Sequence, residues 1–533
     1  MSEHCLSSRP DFDMIRIMKM PRSIALLLTN VILCAPVFAT TCESLAHLSL
    51  ANGSITLANS VAPNAFVTDD SHPMLYLPAF CRVAATLTPT PDSNIHIEVW
   101  MPTLGWNGKY EGTGNGGYAG KISYGPLAVG LRSGYAVANT DMGTSVPKGA
   151  DADLLVGHPE RWADWGWRST HEMTVAAKQI VEAFYGREPE HAYFNGCSTG
   201  GEQALMEAQR FPDDYDGIVA GAPANNRTRL HMAILWNYAA GERTPANYIP
   251  ATKLPMITEA LLNACTAAKA VASDAFLTSP EKCNWDPNAL LCKSGDAPNC
   301  LTAEQVAAAR NLYSGPVNPR THESIYPGVT RGSEFGWPEM MPQSGNTPYT
   351  SLFKWTFGAD WNWRTFDFDH DVATVDARLA PMLNATSPDL SAFKARGHKL
   401  IMYHGWADWL VPSPESIDYY RSVANAQASA AESHHYSDNQ ETQTFLRLFM
   451  VPGMSHCGGG PGLNNVQPLS SLELWIEKDI APQQIIAWRE ENGKILMTRP
   501  VCPFPQTARY NGTGDINQAA SFACASPVQV GNQ

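Results

Sequence analysis

The sequence lacks several signatures that would fix its chemistry early. It contains no Cys-x-x-Cys pair and no His-Glu-x-x-His string, so neither a structural zinc nor a zinc-hydrolase centre is indicated. Its glycine tract at 114–117 lacks the Lys-Ser/Thr of a phosphate loop, which argues against a phosphate-cradling role. Charge is scarce and of the wrong sign for nucleic acid. Charged residues make up 17%, with Lys+Arg 37 against Asp+Glu 51 and a formal net charge of -14, and such a surface repels phosphate backbones. Internal repeats and low-complexity tracts are missing as well. No apolar run is long enough to cross about 30 Å of hydrocarbon, so no membrane association is expected.

Core-forming material is plentiful. Of 533 residues 44% are hydrophobic, with 15 Trp, 18 Tyr and 18 Phe, enough for a large globular chain of roughly two to four domains, or of one large catalytic domain carrying an insertion. At the N-terminus Arg16, Lys19 and Arg22 precede the run Ile24–Leu33 and then Val37-Phe38-Ala39, the pattern of a secretory leader over residues 1–39. Cys34 follows bulky Leu33 and so fails as a lipid-anchor cysteine. The expected location is secreted or periplasmic. Without the leader's Cys5 and Cys34 ten cysteines remain, an even count that implies disulfides in an exported chain. Proximity suggests Cys265–Cys283, Cys292–Cys300 and Cys502–Cys524, and a Cys42–Cys81 bridge is expected near the start of the mature chain.

Apolar alternation over Ile95–Trp100 and the stretch Tyr135–Asn139 predict strands, as do His191–Asn195, Gly217–Ala220, Leu400–Tyr403 and Leu446–Val451. His171–Tyr185 and Thr199–Arg210 have helical spacing. Strands alternating with helices imply an α/β protein with a mainly parallel sheet. Between residues 229 and 384 that rhythm stops, and Pro, Asn, Trp and Cys accumulate around the aromatic run Trp355, Phe357, Trp361, Trp363, Phe366 and Phe368. The expectation is an α/β-hydrolase fold in which residues 40–228 and 385–533 form the catalytic domain and 229–384 an inserted lid.

Gly196-Cys197-Ser198-Thr199-Gly200-Gly201 lies between a predicted strand and a predicted helix, the setting of a nucleophile elbow. The bland alternative is an ordinary glycine turn with Ser198 as an N-cap. A serine needs a base and an orienting carboxylate, in the chain order Ser, Asp, His for this fold. Asp408 and His456 both follow the carboxyl ends of strands, where sites in parallel sheets form. His404 competes as base, but it ends its strand and is expected to line the pocket, so His456 is favoured. Oxyanion donors are expected from the N–H of Thr199 and from Gly116 or Gly117. His404, Trp406, Trp409 and Val411 are candidates for the substrate pocket. Cys197 and Cys457 adjoin the proposed nucleophile and base. Pairing would bring their alpha carbons within about 4.4–6.8 Å, whereas an unpaired Cys197 would be a buried thiol or itself a nucleophile.

These segments resemble the tannase and feruloyl esterase family. The likeness runs through Trp106-Asn107-Gly108, the glycine loop, the elbow, Phe211-Pro212, Tyr215-Asp216-Gly217, Gly221-Ala222-Pro223-Ala224, Phe366-Asp367-Phe368-Asp369, Tyr403–Asp408 and Pro452–Cys457. By that resemblance Ser198, Asp408 and His456 form a triad, Cys197 pairs with Cys457, and the lid covers a pocket for an aromatic acyl group. The implied substrate is a small ester of a hydroxybenzoic, hydroxycinnamic or terephthalic acid. A general carboxylesterase is the alternative, and a non-catalytic binding protein on the same scaffold is a weaker one. The resemblance also implies calcium in the lid, held between two cysteines. Here only Asp274 survives as a clear ligand between Cys265 and Cys283, and calcium wants six to eight oxygens. The site is therefore expected to be lost or weak, and no cofactor is required.

Overall fold

In a computed structural model that describes residues 41–341, 349–427 and 441–526, ten strands form one sheet. They are β1 (Ser49–Leu50), β2 (Gly53–Val61), β3 (Phe80–Leu87), β4 (Ile95–Pro102), β5 (Lys109–Thr113), β6 (Ala136–Thr140), β7 (His191–Cys197), β8 (Gly217–Gly221), β9 (Lys399–Gly405) and β10 (Leu446–Val451). Their order is β1-β2-β3-β4-β6-β5-β7-β8-β9-β10. From β6 to β10 every pairing is parallel, while β1 to β4 and the β4–β6 junction are antiparallel. The mainly parallel sheet expected from the sequence is therefore extended by an antiparallel N-terminal flank. Two hairpins follow, β11 (Ile485–Glu491) with β12 (Lys494–Val501) and β13 (Thr507–Tyr510) with β14 (Phe522–Ala525).

The parallel strands are largely buried because helices cover both faces. Every residue of β6, β8 and β10 is buried. β5 does not read as a strand in the sequence, since Lys109-Tyr-Glu-Gly-Thr113 contains Lys, Glu and Gly within five residues. Its burial between β6 and β7 overrides that composition. Burial also pushes the Glu111 carboxyl up to about 7.

No strand of the sheet lies between Gly221 and Lys399 among the described residues. This stretch supplies helices, and the helix Arg227–Glu242 crosses the expected boundary at 228. Much of the stretch has its own apolar cluster, including Ile257, Leu261, Leu301, Leu312 and Trp337. Its aromatic run packs inward: Phe353 meets Trp361 and Phe366 at 4.8 and 5.0 Å between ring centroids, and Trp236 meets Phe368 at 5.1 Å. The leader expected at 1–39 lies outside the described residues. No helix among the described residues is long and apolar enough to cross a membrane.

Candidate active site

Strand register brings the proposed site residues to one edge. Cys197 pairs with Gly221, Gly221 with Tyr403, and Tyr403 with Phe449, so the loops carrying Ser198, Asp408 and His456 leave the sheet at the same end. Ser198 sits between β7 and the helix Thr199–Arg210, with φ 66° and ψ -120°. A non-glycine residue at positive φ is uncommon, and here it turns the chain sharply from strand to helix. The neighbouring glycines are dictated by contact. A Cβ on Gly196 would lie 2.4 Å from the Gly200 carbonyl oxygen, and one on Gly114 would lie 2.5 Å from the Gly200 alpha carbon.

Asp408 is fully buried. Its Oδ2 lies 2.7 Å from His456 Nδ1 and 3.1 Å from His404 Nε2, while Oδ1 accepts the backbone N–H groups of Leu410 and Val411 at 2.8 and 2.9 Å. Burial alone would raise this carboxyl, but the charge of His456 and hydrogen bonds from His404 and His456 outweigh it and hold it well below the usual carboxylate range. His404 is also fully buried, with Nδ1 on the Ser416 hydroxyl at 2.7 Å and Nε2 shared with the Val411 carbonyl at 3.0 Å. Both of its ring nitrogens are occupied. His456 is only partly buried, and its Nε2 makes no hydrogen bond among the described residues.

All five expected disulfides form: Cys42–Cys81, Cys197–Cys457, Cys265–Cys283, Cys292–Cys300 and Cys502–Cys524. Cys197 and Cys457 are 260 residues apart in sequence and 5.9 Å apart between alpha carbons. The residue before Ser198 is thus bonded to the residue after His456. The Asp408 loop joins the same assembly, because the Ala407 N–H donates to the Met454 carbonyl at 2.9 Å.

The glycine loop follows β5 and lies against the elbow. Gly114 N–H donates to Asn195 at 3.0 Å, Gly200 N–H to Asn115 at 2.8 Å, and the Asn115 N–H to Gln203 Oε1 at 2.9 Å. The Thr199 hydroxyl donates to the Gly117 carbonyl at 2.9 Å. The N–H groups of Gly116, Gly117 and Thr199 donate no hydrogen bond among the described residues.

His404 and Val411 are buried in packing, and Trp406 is 5% exposed and lines a separate cleft beside Pro452 and Phe504. Trp409 borders a cavity together with Leu410, Ile234, Asn237, Glu339, Met340 and Tyr349. This cavity holds about 580 Å³ of empty space, part of it open to solvent. Ile234, Leu410 and Tyr349 of its lining pack in one cluster with Ala224, whose N–H donates to the Ser198 carbonyl at 3.1 Å. Sequence reasoning missed Ile234, Asn237 and Tyr349 because nothing local relates those positions to residue 408.

The profile of the family described as tannase and feruloyl esterase matches residues 81–525. The chain belongs to the tannase and feruloyl esterase family. It is a carboxylic ester hydrolase with the fold of that family. It is 38% identical over 528 residues to an uncharacterized esterase of Xanthomonas campestris pv. campestris, covering 91% of each chain. It is 31% identical over 536 residues to mono(2-hydroxyethyl) terephthalate hydrolase of Piscinibacter sakaiensis, covering 85% of each. The crystal structure of feruloyl esterase B from Aspergillus oryzae superposes with a TM-score of 0.81 at 26% identity, over 91% of this chain and 99% of that one.

The residues between Cys265 and Cys283 do not fit calcium. Asp274 Oδ1 is 3.3 Å from Arg499 Nη2, and Oδ2 accepts the Val271 N–H at 3.1 Å. Both partners of this ion pair are buried, so a guanidinium already neutralises the one clear carboxylate of the loop. A calcium ion there would face a fixed positive charge and too few oxygens.

Proposed function

We propose that the protein is an exported serine esterase that cleaves small esters of aromatic acids, with Ser198 as nucleophile, His456 as base and Asp408 orienting the imidazole. His456 Nε2 takes the Ser198 proton as Oγ attacks the ester carbonyl. The resulting tetrahedral anion is held by the N–H groups of Thr199 and Gly117. The His456 proton then leaves with the alcohol, and water attacks the acyl-serine to release the acid. The 2.7 Å contact between His456 Nδ1 and Asp408, on a loop bonded through Cys457 to the residue before Ser198, carries this reading. It gives the base its orientation and its position together.

Gly117 is the favoured second donor, since the Thr199 hydroxyl bonds its carbonyl. Support for an aromatic acyl group comes from the relatives' substrates and from a cavity bordered by Trp409, Tyr349, Ile234 and Leu410, which suits a planar ring. Residues 229–384 serve as the lid over that cavity. Export accords with five disulfides and with the leader pattern, and calcium is not needed. The test is a hydrolysis panel of methyl gallate, methyl ferulate, chlorogenate, mono(2-hydroxyethyl) terephthalate and a short aliphatic ester, run with the native enzyme and with Ser198→Ala. The aromatic esters should be turned over best, and Ser198→Ala should abolish turnover. Near-normal rates in that variant, or a preference for the aliphatic ester, would reject the proposal.

A further inference from the structure

We infer that Arg227 is a positioning residue that holds the two oxyanion donors in register through the Thr199 side chain. The inference rests on the reading of Ser198 as nucleophile and of Thr199 and Gly117 as donors. Arg227 opens the helix that follows Gly221-Ala-Pro-Ala224, and its guanidinium is buried behind the elbow. Its Nη2 donates to Thr199 Oγ1 at 3.1 Å and also to the Glu202 carboxylate one turn along the nucleophile helix.

Donor and acceptor arithmetic then fixes the Thr199 hydroxyl. A guanidinium can only donate, so Oγ1 accepts from Arg227 and must send its own hydrogen elsewhere. It goes to the Gly117 carbonyl at 2.9 Å. That carbonyl accepts a second hydrogen bond from the Trp165 indole at 3.2 Å, and the guanidinium carbon lies 4.9 Å from the centre of the Trp165 ring, within cation–π range. Arg227 therefore touches both groups that grip the Gly117 carbonyl. The closed circuit Gly117, Thr199, Arg227, Trp165 links the glycine loop to the first residue of the nucleophile helix, and so sets the spacing between the two N–H groups.

Stability is a poor explanation for this arrangement. Arg227 Nε and Glu202 Oε1 are buried without partners, and apolar replacements of buried ion pairs are often neutral or stabilising. Oxyanion donors, by contrast, act only in the transition state, so losing their register should lower kcat and leave KM nearly unchanged.

The experiment compares native enzyme, Ser198→Ala, Arg227→Met combined with Glu202→Gln, and Arg227→Lys. It measures kcat and KM for methyl ferulate and 4-nitrophenyl acetate, and affinity for phenylboronic acid, whose serine adduct is tetrahedral and anionic. The double variant should lose about 10- to 100-fold in kcat, less than removal of a whole oxyanion donor, with KM held within about threefold. Boronate affinity should fall in parallel, and Arg227→Lys should recover part of both. Should the double variant fail to fold, Thr199→Val removes the same link and should show the same losses. Normal kcat and boronate affinity in the folded double variant or in Thr199→Val, with Ser198→Ala inactive, would overturn the positioning role alone. Near-normal turnover by Ser198→Ala would overturn that role together with the reading beneath it.

Discussion

His404 Nε2 lies 3.1 Å from Asp408 Oδ2, the same oxygen that His456 Nδ1 meets at 2.7 Å. Two imidazoles therefore share one buried carboxylate oxygen, with different freedom. His404 Nε2 faces two acceptors, Asp408 and the Val411 carbonyl, and so carries a hydrogen. The ring is locked in place and has no nitrogen left for a serine. It supports the carboxylate.

That division of labour gives a first prediction. His456→Ala should cost on the order of 10³-fold or more in kcat, as expected for loss of a triad base. His404→Gln should cost about tenfold, the equivalent of one hydrogen bond to a charged group. Steady-state kinetics on the best aromatic ester decides it. If His404→Gln proved as damaging as His456→Ala, the assignment of the base would be wrong.

Opening the Cys197–Cys457 bridge should damage stability and activity together. The loop closed is 260 residues, for which the chain-entropy estimate is about 5.6 kcal/mol, with the measured range for disulfides reaching down to zero. A Cys197→Ala, Cys457→Ala double variant should melt lower and lose kcat even at temperatures where it is fully folded. Full kcat in the folded variant would mean that Ser198 and His456 are held in reach without the bond.

Glu415 sets a pH dependence of stability. Burial raises its carboxyl and the charge of Asp418 adds to this, against a hydrogen bond from Asn226 and the charge of Arg229, with a net value of about 8 from an ordinary 4.5. The folded protein thus holds this proton more tightly than the unfolded chain. Its contribution is full below about pH 4.5 and is lost as pH rises through about 8. Melting temperature should decline across that window, and Glu415→Gln should flatten the decline while changing little at pH 5. Equal slopes in the two proteins would show that other groups govern it.

Chelation should leave the lid intact. If Arg499 takes the place of a cation beside Asp274, EDTA should shift neither the melting temperature nor kcat. Asp274→Asn should destabilise by about 3 kcal/mol, because it leaves a buried guanidinium without its counter-charge. Restoration of a chelator-sensitive melting point by added calcium in the native protein would contradict this.

Elements whose cause is local can be read from the residues alone. Alternating apolar residues and glycine punctuation marked β4, β6, β7, β8, β9 and β10, and the elbow was legible because close backbone contact requires Gly196 and Gly200. Asp408 and His456 followed from their places after strand ends. Features that depend on neighbours distant in the chain emerge only on packing. β5 is a strand because it is buried between β6 and β7, despite its Lys and Glu. The surroundings of Trp409 and Val411 depend on packing between segments distant in the chain: Val411 clusters with Ala224 and Ile234, and Trp409 borders a cavity with Ile234 and Tyr349. Arg227 gave no local signal at all. A buried guanidinium acquires its role only from the groups it reaches, and Thr199, Glu202 and Trp165 meet it only once the sheet has brought their loops to one edge.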